Sequence, residues 1–153
     1  MTGSESSNLV EKLGDTNYQI WSLKMRLLLV RKQLADAIEN GPAVDAVVNS
    51  KAMAEIGLHL NDENLLSVKH CNTALQMWTT LRSNYMSRTA ARRTSLIKER
   101  SNLRKAYDES VQKYIGRARN ILNDLTAIGD PIREIDMATS VLAGIDDERF
   151  SAA

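Results

Sequence analysis

Apolar positions in this chain recur at helical spacing almost from end to end. No segment of useful length alternates with the period of two that marks a half-buried strand. Residues 17–30, NYQIWSLKMRLLLV, carry the densest pattern. Tyr18, Trp21, Met25 and Leu29 form one stripe at the spacing of a buried helical face. Ile20, Leu23, Leu27, Val30 and Leu34 form a second stripe on the opposite side. A helix at the surface of a globular protein needs one such stripe. The second must be covered by more of the same chain, by another molecule or by lipid.

The same spacing predicts further helices. Thr16 followed by Gln19 has the form of a capping box, which starts the first helix near Asn17 and carries it to about Lys32. Leu34 to Ile38 reads as another turn or two, ended by Gly41-Pro42. A helix over roughly Val44–Leu60 sets Val48, Ala52, Ile56 and Leu60 on one side. Asn61-Asp62 caps a short helix bearing Leu65, Leu66 and Val68. From Thr73 to Met86, Ala74, Met77, Trp78, Leu81 and Tyr85 make a continuous stripe. At Ser87-Arg88-Thr89 the stripe stops and charge rises, which marks a hinge. Ala90 to about Tyr107 keeps Leu96, Leu103 and Tyr107 in line. Ser110 caps a helix to Ile128 with Val111, Tyr114, Ile115, Ala118, Leu122 and Leu125 at core spacing. Gly129-Asp130-Pro131 ends it. A last helix over about Arg133–Leu142 presents Ile135, Ala138, Val141 and Leu142. The class is all-α, with residues 1–12 a flexible leader and two helical lobes over 13–87 and 88–153.

Composition narrows who could cover the second stripe. The hydrophobic fraction of 43% and charged fraction of 25% are those of a globular domain. The longest wholly apolar run, Leu27 to Val30, is far short of the roughly 20 residues a membrane span requires, so lipid is a poor cover. The N-terminal residues lack a signal-peptide pattern, and Gly3 does not occupy a myristoylation position. A single cysteine, Cys71, cannot form an internal disulfide and suits a reducing compartment.

Net charge is only +1, but residues 88–105 hold seven basic side chains against Glu99 alone. These are Arg88, Arg92, Arg93, Lys98, Arg100, Arg104 and Lys105. Around Leu96 they surround the buried line and do not form a narrow track. They read either as a solvated face or as a nonspecific nucleic-acid contact of steep salt dependence. No aromatic platform interleaves them, which argues against base recognition.

Catalytic chemistry has no foothold. His59 and His70 lack motif partners, and His70-Cys71 lacks the further ligands a metal needs. There is no glycine-rich phosphate loop, nucleophile elbow or paired-histidine zinc motif. The sequence therefore predicts no catalytic residues, no metal and no cofactor.

The order of these features is more specific than any one of them. Asn17-Tyr18-x-x-Trp21-x-x-x-Met25 is followed by Leu34-Ala35-Asp36-Ala37-Ile38-Glu39. Then come Thr73-Ala74-x-x-Met77-Trp78-x-x-Leu81-x-x-x-Tyr85, Leu96 with Leu103, and Ser110-Val111-x-x-Tyr114-Ile115. Leu122-x-x-Leu125-x-x-x-Gly129 and Val141-Leu142-Ala143-Gly144 close the series. Over about Leu13 to Phe150 this resembles the Gag capsid region of copia-type LTR retrotransposons. The resemblance implies a non-enzymatic capsid protein with a larger N-terminal and a smaller C-terminal lobe, partnered by itself and by RNA in cytoplasmic virus-like particles. Its core signature would be Tyr18, Trp21, Met25, Trp78, Leu81, Tyr85, Leu96, Leu103, Val111, Tyr114, Leu122 and Leu125. Two positions depart from the family: Gly144-Ile145-Asp146-Asp147 stands where Leu-Pro is usual, and Gly14 comes one position early. No Cys-Cys-His-Cys knuckle occurs in these residues. A domesticated helical adaptor and a nonspecific nucleic-acid-binding protein are the alternatives. The stripe of Ile20, Leu23, Leu27, Val30 and Leu34 is either covered by the next helices or is the contact between subunits.

Overall fold

A computed structural model describes residues 9–150, with the side chains of Pro42 and of residues 146–150 excepted. Among the described residues seven α-helices follow one another: α1 Tyr18–Arg31, α2 Asp36–Glu39, α3 Ala46–Leu58, α4 Asp62–Ser67, α5 Ala74–Ser101, α6 Val111–Ala127 and α7 Glu134–Phe150. A 3₁₀ turn at Gly41–Ala43 links α2 to α3. The fold is all-α, and among the described residues the one β-type pairing is an isolated bridge between Leu13 and Leu60. The described residues up to Met86 and those from Ser87 onward form two compact units, each with its own core.

The first unit is built on the aromatic side of α1. Trp21, Met25 and Leu29 are buried beside Leu28, which the stripe did not include. Tyr18 stacks on Tyr85 with ring centroids 4.4 Å apart, and Trp21 packs on Trp78 at 5.8 Å. Aromatic pairs of this kind add to area burial because ring edges and faces carry opposite partial charge. Ala52 and Ile56 of α3 and Leu60 just beyond it complete the floor, with Ala74, Met77 and Leu81 from α5. Ahead of α1 the chain is already packed. Val10 and Leu13 are buried, and Leu13 exchanges backbone hydrogen bonds with the chain at His59 and Asn61. The leader expected over 1–12 therefore ends before Val10, and its first eight residues lie outside those described.

Local chemistry explains the helix ends. Asn17, not Thr16, is the N-cap of α1, and its side chain accepts from Gly14 N and donates to Lys12 O instead of capping the helix. At the other end Gln33 takes φ 60°, Leu34 N donates to Leu29 O and Gln33 N to Val30 O. This is the two-bond reversal that usually employs glycine. It turns Leu34 inward, where it is buried with Leu29 in the same core. Leu34 is thus removed from the second stripe, because the helical phase that placed it there ends at Arg31. Asp45 and Asn61 cap α3 and α4 by accepting backbone N–H bonds. The one buried polar side chain among the described residues, Asn64, donates to Asn61 Oδ1 and Leu13 O.

The helix itself is not broken at Ser87-Arg88-Thr89. α5 passes through as one 28-residue helix, since a jump in charge does not stop a helix that meets neither glycine nor proline. From Met86 to Ser95 none of its residues is buried, and only Thr89 is even half-covered.

The second unit gathers Leu96, Leu103, Tyr114, Ala118, Ile121, Leu125 and Met137, with Leu122, Val141 and Ile145 against them. Leu96 and Leu103 belong to this core, but α5 has ended by Leu103. Tyr107 therefore leaves the line expected for it and is 99% exposed. Val111, assigned to the core signature, is also exposed, because as first residue of α6 it lies a turn before the buried face begins at Tyr114. Along α7 the inward positions are Met137, Val141 and Gly144, leaving Ile135 and Leu142 in solvent. Gly144 is a close approach: a Cβ there would lie 2.0 Å from Tyr114 Oη and 2.4 Å from Leu103 O. The Tyr114 hydroxyl donates to Val141 O at 2.9 Å across the same contact.

Candidate assembly surface

The outer face of α1 remains uncovered. Ile20, Leu23, Leu27 and Val30 are 53–69% exposed. At 100° per residue these four fall within roughly 80° of arc, diametrically opposite Trp21, Met25, Leu28 and Leu29. Lys24 and Arg31 line one edge of the arc, roughly 10 Å apart along the helix. Leu9 and Val10 lie against this edge, and with Lys24, Leu27, Leu28 and Arg31 they line a groove of about 210 Å³. On the other edge Arg26 donates to Glu39 at 2.7 Å. α1 contains three basic residues and no acid. The helix therefore offers an apolar strip with a positive margin. Single exposed leucines are ordinary on protein surfaces, whereas a contiguous set on one helix is the kind of patch that interaction surfaces present.

A second apolar patch lies at the corner where α3 gives way to α4. Leu58 is 74% and Leu66 64% exposed, with Leu65 half-exposed beside them. Leu65 Cδ1 lies 3.5 Å from where a Cβ on Gly57 would sit, so the two helices touch beside these leucines. Asp62 and Glu63, both exposed, occupy the first turn of α4, which has no basic residue.

The basic segment is largely occupied with its own unit. Arg92 pairs with Asp124 at 2.5 Å and lies 3.8 Å from Glu99, while Arg93 pairs with Asp130 at 2.5 Å. Arg100 donates to Ser140 Oγ at 3.2 Å. Arg104 donates to the carbonyls of Ser101 and Leu103, and Lys105 to that of Ala106. Arg88 and Lys98 are exposed on α5. Lys98 lines a groove of about 500 Å³ between the end of α5 and α6, together with Glu99, Asn102, Arg117 and Asp124. Acidic groups on that wall break up the positive field that the sequence alone suggests.

Beside the groove one ion pair shapes the connection to α6. Arg117 Nε and Nη2 reach the two carboxylate oxygens of Glu109, each at 2.8 Å, and Nη2 also donates to Arg104 O at 2.7 Å. These bonds hold the Glu109 carboxyl well below the usual range, at about 2. Glu109 in turn accepts from Ala106 N, closing the turn at whose tip Tyr107 stands.

The histidines and the cysteine have ordinary surroundings. His59 Nδ1 is 2.7 Å from Glu55 O, and the His59 carbonyl accepts the Trp21 indole N–H at 2.9 Å. Cys71 Sγ lies 3.7 Å from Thr80 Oγ1. Among the described residues no cluster of three or more histidine, cysteine or carboxylate side chains could hold a metal ion. None of the described helices is long and apolar enough to cross a membrane.

Fold and surface together define a small all-helical protein of two cores whose conspicuous feature is an uncovered apolar helix face. The comparison with known families agrees: residues 25–148 match the family described as gag-polypeptide of LTR copia-type, and the chain belongs to that family. A relative from Nicotiana tabacum, the retrovirus-related Pol polyprotein from transposon TNT 1-94, is 27% identical over 137 residues, 84% of this chain. The chain spans about 10% of that relative's length. No solved structure matches. Membership places the chain with structural, non-enzymatic Gag polypeptides.

Proposed function

We propose that this chain is a capsid subunit that assembles with its own copies into particles enclosing RNA. The observation that carries the reading is the outer face of α1, four large apolar side chains more than half exposed on a helix whose other side is fully packed. Shell-forming subunits need contacts that are individually weak, so that many copies can join and correct errors before a lattice closes. A strip of this size suits such a contact.

The test is direct. Negative-stain microscopy and light scattering across protein concentration, salt and added RNA are expected to show particles or higher oligomers from the wild-type chain. The Leu23→Ser/Leu27→Ser variant should retain its helicity and lose them. A wild-type chain that stays monomeric through the whole series would leave the helical adaptor as the better reading.

RNA contact draws on the exposed Lys98 in this proposal, since Arg92 and Arg93 are committed to Asp124 and Asp130. Reversing Lys98 should weaken RNA binding. The slope of log affinity against log salt should fall by about one for each phosphate that is no longer neutralised. An unchanged slope removes this segment from the RNA surface.

A further inference from the structure

The apolar strip of α1 needs a mate, and the first unit carries a surface of matching chemistry. We infer that α1 of one copy docks on the α3–α4 corner of the next, with Lys24 and Arg31 facing Asp62 and Glu63. This rests on the assembly reading above and names the surfaces that would meet.

Three observations favour that occupant. Charge is the first: α1 is basic with no acid, α4 is acidic with no base, and both bear exposed leucines. Apolar patches with opposite margins attract at a distance and exclude wrong registers. Position is the second. The Trp21 indole, on the inner side of α1, donates to His59 O at the end of α3, so the corner lies under the inner side while the strip faces outward. Two different patches on one unit give a head-to-tail contact, which repeats into rings or lattices.

The alternative of α1 against α1 is the third. In an antiparallel two-fold pair, Lys24 and Arg31 of both copies share one edge and repel. In a parallel pair they face the edge bearing Gln19 and Arg26, where Glu39 is already paired with Arg26 and α1 itself supplies no acid. Neither Lys24 nor Arg31 makes an ion pair among the described residues, so both are available to a neighbour.

Charge exchange tests the contact in the full chain, under conditions where the wild type assembles. Asp62→Lys/Glu63→Lys and Lys24→Glu/Arg31→Glu should each raise the concentration needed for assembly by about tenfold or more, as expected for opposing charge at an apolar contact. The fourfold variant carrying both exchanges should return it close to the wild-type value. Lysines in the first turn of α4 oppose the helix dipole. The neutral pair Asp62→Asn/Glu63→Gln is therefore run beside them, with circular dichroism reporting helicity, and should shift assembly in the same direction by less.

Normal assembly of both Asp62/Glu63 variants overturns the inference, whatever the α1 variants do. So does a fourfold variant no better than either pair. A wild-type chain that never assembles is a separate outcome and sinks the capsid reading itself.

Discussion

Single residues report how tightly each core is specified. Gly144 lies inside α7, where alanine normally gains about 1 kcal/mol over glycine. Here a methyl group would strike Tyr114 Oη and Leu103 O, so Gly144→Ala should instead destabilise the second unit by about 1–3 kcal/mol, read by denaturant unfolding. The reverse holds at Gln33, whose φ of 60° is costly for a residue with a Cβ. Gln33→Gly is expected to raise the stability of the first unit by about 0.5–1 kcal/mol. Glu109 supplies a pH dependence of known sign. Its folded carboxyl titrates at about 2, below its value in the unfolded chain, so its stabilising effect is complete above that unfolded value. It is lost as pH falls from about 4.5 through about 2. Acid titration of Glu109→Gln should show a shallower loss of stability over that window than wild type. Residues whose environment is set by their own helix were legible in sequence: Trp21, Met25, Leu81, Leu96, Tyr114 and Leu125 are buried as their spacing demands. Gly144 was legible as a motif position, while the ring that makes it obligatory comes from another helix.

At the scale of elements, spacing predicts burial only while one helix keeps its phase. Leu34 sits beyond the end of α1, and the reversal at Gln33 resets its direction. Tyr107 sits beyond the end of α5, and the turn closed by Glu109 points it outward. Val10, Ile121 and Met137 escaped the pattern because strap residues and partial stripes have no period of their own. α5 shows the converse: the change from apolar to basic composition coincides with the division between the two units, yet the helix continues through it. The two faces of α1 should separate experimentally. Trp21→Ala removes a buried indole and should cost roughly 3–5 kcal/mol. Leu23→Ser and Leu27→Ser remove side chains already in water and should leave thermal unfolding nearly unchanged. The sequence alone could not decide between a covered and an open second stripe, because the answer depends on where α3 and α5 stack, and they stack on the tryptophan side.

For the molecule as a whole, the ordered motifs made both the helical class and the copia-type Gag family readable from the residues. The distribution of charge was not. Seven cations within eighteen residues look like a polyanion site until Asp124 and Asp130, far away in sequence, are seen to meet two of them. The stretch of α5 from Met86 to Ser95 buries no side chain. Such a segment is held chiefly by its own backbone hydrogen bonds and opens locally at small cost. A protease needs an extended strand, so brief exposure to trypsin should cut first after Arg88, before the packed helices on either side. Each fragment would keep an intact set of buried side chains, and the two halves of the chain would become separate reagents: one for the α1 and α4 surfaces, one for the loop at Tyr107.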